Sequence, residues 1–164
     1  MKKLIALVCM SVMAVCAFAA GNLKADECEL GEVSSSKEIK PGFAYFFDKG
    51  ITIEDKSADP IKNGDVTYSK RIKTKGIADG IKITAKKGEV LTIVATSSSK
   101  NEARFATLRP ADKLSKKIGS IKCPEWNMSA PKFSTGSITI PEDGEYVLRG
   151  SSGGGLYFFE IDLK

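Results

Sequence analysis

The chain has 164 residues, with 25 Lys and Arg against 20 Asp and Glu, and it contains no histidine. Without histidine there is no Ser-His-Asp triad, no Cys-His dyad, no imidazole base and almost no route to a catalytic zinc site. The mild positive balance reads as a lysine-rich solvated surface, because a nucleic-acid footprint needs Lys and Arg gathered on one face.

Met1-Lys2-Lys3 opens the chain with charge, Leu4 to Val15 is an apolar run, and Ala17-Phe18-Ala19 sets small residues where a signal peptidase prefers them. That three-part pattern predicts a secretory signal peptide over residues 1–20, cleaved near Ala19 or Ala20. A membrane anchor is the alternative, but about 16 apolar residues fall short of the roughly 20 that a spanning helix needs. Cys16 raises a lipoprotein reading, which is less favoured because Met13-Ala14-Val15 lacks the small residue wanted next to it. Cleavage would lower the formal charge from +5 to +3 and leave one extracytoplasmic domain, secreted or periplasmic, with no membrane span. Cys9 and Cys16 would leave with the signal, so the remaining pair is Cys28 and Cys123. In an oxidising compartment a disulfide between them is the economical expectation, worth roughly 4–5 kcal/mol by chain entropy, with two free thiols as the alternative.

Residues 21–42 are polar and broken by Ser34-Ser35-Ser36 and Lys40-Pro41-Gly42, which predicts a leader, and residues 43–164 form the domain. Ala44–Phe47 and Ile51–Ile53 are short strand candidates separated by an Asp48-Lys49-Gly50 turn. A loop punctuated by Asp59-Pro60 and Asn63-Gly64 leads to Val66–Lys73. Gly80–Ala85 alternates cleanly, while Val90–Ser97 is more continuously apolar, as a strand buried on both faces would be. Arg104–Arg109, Lys117–Ile121 and Gly136–Ile140 follow, with Pro124–Thr135 as a long connection carrying Trp126. Asp143–Leu163 ends the chain as two runs around a Gly150–Gly155 hinge, which predicts an antiparallel hairpin with Tyr157, Phe159, Ile161 and Leu163 facing the core. Eight to ten short strands and no 3.6-residue period predict an all-β antiparallel sandwich with little or no helix.

Several pieces, in order, carry a resemblance: Tyr68-Ser69-Lys70-Arg71-Ile72-Lys73, the Ile81-to-Ser97 strand pair running into Ser98-Ser99, Ala103–Leu108, and the closing Gly144-Glu145-Tyr146 through Gly150–Gly155 to Ile161. Over Tyr68–Leu163 the chain resembles the galactose-binding-like, jelly-roll accessory domains of secreted bacterial pectate lyases and related polysaccharide-acting proteins. The resemblance implies a jelly-roll sandwich and a polysaccharide-associated role. It also raises a structural Ca²⁺, for which Glu54, Asp55 and Asp59 offer oxygen ligands.

Sugar recognition pairs an aromatic face, stacked on the pyranose C–H surface, with planar donors that read hydroxyls. The candidates are Tyr68, Arg71, Arg104, Trp126, Arg149 and Tyr157, with Tyr45 beside them; the bland alternative makes each a packing residue. Carboxylate pairs drawn from Glu54, Asp55, Asp143, Glu145, Glu160 and Asp162 could in principle cleave a glycosidic bond, but they read as solvated surface. Gly153-Gly154-Gly155 lacks the Lys-Ser/Thr of a phosphate loop. The expectation is therefore a non-catalytic, secreted carbohydrate-binding module with no nucleic-acid partner. The alternative is a periplasmic or surface protein that binds another envelope protein, as an adhesin component or an enzyme inhibitor.

Overall fold

The computed structural model describes residues 21–33, 37–47 and 50–164. The signal segment expected at residues 1–20, Cys16 included, lies outside the described residues. In chain order the strands are β1 (Asn22–Lys24), β2 (Gly31–Val33), β3 (Glu38–Lys40), β4 (Phe43–Phe47), β5 (Ile51–Asp55), β6 (Ile61–Asn63), β7 (Val66–Tyr68) and β8 (Lys70–Lys73). They continue as β9 (Asp79–Ala85), β10 (Val90–Ser97), β11 (Arg104–Pro110), β12 (Gly119–Cys123), β13 (Ser137–Thr139), β14 (Gly144–Gly150) and β15 (Leu156–Leu163). One 3₁₀ turn, Ala25–Glu27, is the helical element among the described residues, and no helix there is long and apolar enough to cross a membrane.

The strands make an all-β, antiparallel sandwich. One sheet runs β13-β10-β15-β8-β5-β2, with β1 also on β15; the other runs β12-β11-β14-β9-β4-β3; β6 and β7 form a separate ribbon. Successive strands repeatedly change sheet, as β4 to β5, β9 to β10, β10 to β11 and β13 to β14 all do, which is the jelly-roll habit. Between the sheets Ile81, Ile83, Leu91, Leu108, Leu148, Phe158 and Ile161 interlock as the main core. Residues 21–42 supply β1, β2 and β3, and Leu23 and Ala25 are fully buried in that core.

Two expectations need correction. First, β14 and β15 do not pair: they lie in opposite sheets, so residues 151–155 form an arch across the sandwich. A period of two identifies a strand but not its partner, and both runs are mid-sheet strands with neighbours on either side. Arg104 holds the arch, donating from Nη1 to Ser98 Oγ at 2.8 Å and to the Gly155 carbonyl at 2.9 Å. The arch glycines leave the room this needs, since a Cβ on Gly154 would stand 2.1 Å from the Arg104 guanidinium carbon.

Second, Cys28 and Cys123 are both free and buried. The Cys28 thiol meets Tyr45 on β4, whereas Cys123 ends β12, at the far edge of the same sheet. Four strand steps of about 4.8 Å separate those strands, on the order of 19 Å, while a disulfide needs Cα atoms within about 7 Å. Compartment and cysteine count say nothing about strand position, which decides the matter here. Burial pushes the Cys28 thiol up and raises Cys123 to about 12, so both are poor nucleophiles in the folded state.

Gly155→Ala should lower stability by about 1–3 kcal/mol in urea unfolding, because its Cβ would sit 2.2 Å from the Thr74 carbonyl oxygen. Mass spectrometry after alkylation without reductant should show Cys28 and Cys123 unmodified when folded and both modified in denaturant. A bonded pair would resist in both states.

Candidate functional site

The seven-stranded sheet carries a bulge at its centre. Val94 of β10 faces Glu160 of β15 and Ala95 faces Phe158, leaving Phe159 as the extra residue. Before the bulge Leu156 and Phe158 point into the main core while Tyr157 and Phe159 point outward; after it Ile161 and Leu163 point inward. One inserted residue reverses the alternation, so the expected core face of Tyr157, Phe159, Ile161 and Leu163 is divided between two sides.

Outward-facing Tyr157 and Phe159 form a second apolar cluster with Tyr68, Trp126 and Ile61, and Val94 and Phe133 pack against it. The β6–β7 ribbon brings Ile61 and Tyr68, and the 124–135 connection brings Trp126 and Phe133. That connection is tied along the β10 edge where β13 ends. Ser134 Oγ accepts from the Ala95 N–H at 3.0 Å and donates to the Ile93 carbonyl at 2.7 Å, and the Trp126 N–H reaches the Ser99 carbonyl at 2.8 Å. Trp126 meets Tyr157 edge-on at 5.6 Å and stacks near Phe159 at 6.2 Å, both within the range of favourable aromatic pairs.

Arg71 closes this cluster. Its guanidinium carbon lies 3.6 Å from the Tyr157 ring centroid and 5.1 Å from that of Trp126, and its Nε donates to Glu54 at 2.7 Å. Lys73 reaches the other Glu54 oxygen at 3.0 Å. Burial works to raise the Glu54 carboxyl, but the hydrogen bonds and charges of Lys73 and Arg71 outweigh it and hold the group below its ordinary range. The Tyr68 hydroxyl donates to Glu160 at 2.8 Å, and its pKa is raised by burial and by that carboxylate.

Four of the six expected site residues, Tyr68, Arg71, Trp126 and Tyr157, thus come together, but as a covered cluster. Their exposures are 1, 7, 7 and 8 %, so no stacking face is open to solvent there. Arg104 is elsewhere, on the arch, and Arg149 lies on the opposite sheet's outer face.

That second face is different. Along β11, Ala106 and Leu108 enter the main core, so Phe105, Thr107 and Arg109 point away from it. Phe105 is 44 % exposed. With Thr107, Arg109, Lys117, Ser120 and Ser151 it lines a shallow groove of about 370 Å³. Thr107 stands between Ser120 and Arg149 across the sheet, and Phe105 stands opposite Lys122. Arg109 Nη1 and Arg149 Nη2 both donate to the Leu114 carbonyl, at 2.8 and 3.3 Å, and Arg149 Nη1 donates to the Ile77 carbonyl at 2.8 Å. Burial and the neighbouring Arg109 charge both lower the Arg149 pKa. Sequence reasoning missed Phe105, Thr107, Arg109 and Lys117. The available signal was the alternation within Arg104–Arg109, which already sets an aromatic residue opposite Ala106 and Leu108.

The carboxylates do not gather. Glu54 serves Arg71 and Lys73, Asp55 accepts from Ser57 at 2.6 Å, Glu145 pairs with Lys82 at 2.8 Å, and Asp162 pairs with Lys164 at 2.7 Å. Among the described residues no group of three or more His, Cys, Asp or Glu is placed to hold a metal ion. The donors expected for Ca²⁺ at Glu54, Asp55 and Asp59 therefore do not fit a shared cation.

No protein-family profile matches the chain, and no curated protein matches it. Among solved structures, it is similar to the CBM22-1 xylan-binding domain of Paenibacillus barcinonensis Xyn10C, at 9 % identity and a TM-score of 0.46, covering 90 % of this chain and 97 % of that one. It is also similar to the carbohydrate-binding module CBM36 solved with calcium and xylotriose, at 12 % identity and a TM-score of 0.40, covering 88 % and 100 %. Both overlays are loose, and the ligands of those modules are properties of those modules.

The Glu54 cluster has a definite pH signature. Because the folded carboxyl is depressed, its stabilisation is fully present above the unfolded value of 4.5 and is lost as the pH falls through the folded value. Glu54→Gln should therefore cost about 1–3 kcal/mol at neutral pH and flatten the loss of stability on acidification. Urea melts of both proteins at neutral and acid pH check this, and parallel acid curves would contradict it.

Proposed function

We propose that the chain is a secreted, non-catalytic carbohydrate-binding module that takes its glycan on the outer face of the six-stranded sheet. The observation that carries the reading is the groove beside Phe105. Phe105 is the aromatic residue among the exposed large apolar side chains described, and it stands on a rigid mid-sheet strand. A pyranose laid on its ring would have the hydroxyls of Ser120 and Ser151 and the guanidinium of Arg109 along one edge. These are the two components sugar recognition requires, a C–H stacking surface and directional polar partners. The resemblance over Tyr68–Leu163 to accessory domains of polysaccharide-acting proteins supports the same role, and the signal pattern at residues 1–20 supports an extracytoplasmic location. The buried aromatic cluster on the other sheet supports the fold and leaves the binding to Phe105.

Native gels with embedded pectin, galactan or xylan should retard the protein in at least one polysaccharide. Phe105→Ala should weaken that binding about tenfold or more while leaving the melting temperature close to the parent's. Trp126, 7 % exposed on the opposite sheet, should keep its emission maximum when the glycan binds. A folded protein that is retarded by none of the polysaccharides would sink the reading, and a Trp126 shift on binding would move the site to the seven-stranded sheet.

A further inference from the structure

The arginines of this chain divide sharply by partner. Arg71 is neutralised by Glu54, and Arg104 has Glu102 at 3.9 Å. Arg109 and Arg149 have no carboxylate partner among the described residues. Their hydrogen bonds go to neutral acceptors: Thr107 Oγ1 and the Leu114 and Ser115 carbonyls for Arg109, and the Ile77 and Leu114 carbonyls for Arg149. Carbonyl dipoles hold the two guanidinium groups side by side without cancelling either charge. Arg149 Nε is buried without a partner, and Arg109 Nη2 makes none of the hydrogen bonds described.

The neighbours add to that field. Lys117 lines the same groove, and Lys122 stands directly opposite Phe105. The nearest carboxylate along β14, Glu145, lies four residues from Arg149 and is paired with Lys82. The groove is therefore a locally cationic surface with an aromatic floor, on a chain whose overall charge is small. Two like charges held together on a partly desolvated face cost stability, and an anion placed between them would relieve that cost.

We propose that the ligand of this groove is an anionic polysaccharide, whose sugar rings stack on Phe105 while carboxylate or sulfate groups meet Arg109 and Lys117. The inference rests on the carbohydrate-binding reading and specifies the chemical class of the glycan. Arg109 is the key residue: it lines the groove, its Nε and Nη1 are held by neutral acceptors, and its Nη2 is left to donate a charge-assisted hydrogen bond to an oxyanion.

Calorimetric titration of the protein with four probes tests it: polygalacturonate, its methyl-esterified form, a sulfated galactan and a neutral galactan. Single-stranded DNA is a fifth. At least one of the two anionic glycans should bind about tenfold or more tighter than the neutral probes, and should weaken by a similar factor between about 50 and 500 mM NaCl. Binding of polygalacturonate alone assigns the anion as carboxylate, and binding of the sulfated galactan alone assigns it as sulfate. Lys117→Gln, on the loop and outside the core, should reduce anionic binding without changing the melting temperature. Arg109→Lys, which keeps the charge but loses the guanidinium anchored at Thr107 and Leu114 with its remaining Nη2 donor, should also weaken it. Equal, salt-insensitive binding of neutral and anionic glycans would overturn this inference and leave the carbohydrate reading standing. Binding of none would overturn both, and tighter binding of DNA than of any glycan would overturn the assignment to sugar.

Discussion

The structure turns on the bulge that sets Phe159 outside the ladder between β10 and β15. β15 is the hub of its sheet: β10 lies along one side, and β8 and β1 divide the other, with Phe158 opposite Ile72 and Ile161 opposite Leu23. A strand in that position is buried on both faces only if apolar side chains are available for both. The bulge provides them, because it lets Phe158 serve the main core and Tyr157 and Phe159 serve the outer cluster, then restores Ile161 and Leu163 to the inside. Without the extra residue, Glu160 and Asp162 would share the inward face with Phe158, and two carboxylates would enter the core unpaired. The energetic cost of that arrangement, several kcal/mol per buried charge, fixes the register.

From that register follows the use of the 124–135 connection. Two aromatic rings standing on an outer sheet face would be an exposed apolar patch, an aggregation liability. Trp126 and Phe133 cover them from one side and the β6–β7 ribbon covers them from the other. Arg71 completes the cover with its guanidinium, which lies over the Tyr157 ring and pairs with Glu54, so its charge is balanced where water is scarce. The cation–aromatic contact at Tyr157 is thus part of a lid, and its geometry has no space left for a ligand.

Much of the architecture was legible because period-two alternation survives in almost every strand, and Gly80–Ala85, Val90–Ser97 and Arg104–Arg109 fall within a residue or so of the observed elements. Three things were not legible, each for a physical reason. Which strands pair is a long-range property, so the 150–155 segment reads equally well as a hairpin turn or as an arch. A bulge inserts one residue into a partner ladder and leaves no local mark, so the faces of Tyr157 and Phe159 could not be read past it. The weight given to tyrosine and tryptophan as sugar platforms also favoured large amphipathic rings, which are the very side chains a second core selects. Phe105 carries the same stacking surface without a polar tip, and only its neighbours across β11, β12 and β14 reveal that it is open.

The two outer faces of the sandwich therefore answer the same problem in opposite ways. The seven-stranded face is rich in aromatics, has its arginine neutralised and keeps those rings covered. On the six-stranded face, Val147 is fully buried although Tyr146 and Leu148 on either side of it point inward. The 111–118 loop lies over it, bound through the Leu114 carbonyl by the two arginines that flank it. Those arginines are held by neutral acceptors, and this is what leaves their charge available. Had Glu145 stood one cross-strand row nearer, it would have paired with Arg149 and quenched the field. Instead it is engaged by Lys82, and the cationic end of the sheet remains uncompensated beside Phe105. The formal net charge of +5 conceals that separation, since it counts residues and takes no account of which face they occupy.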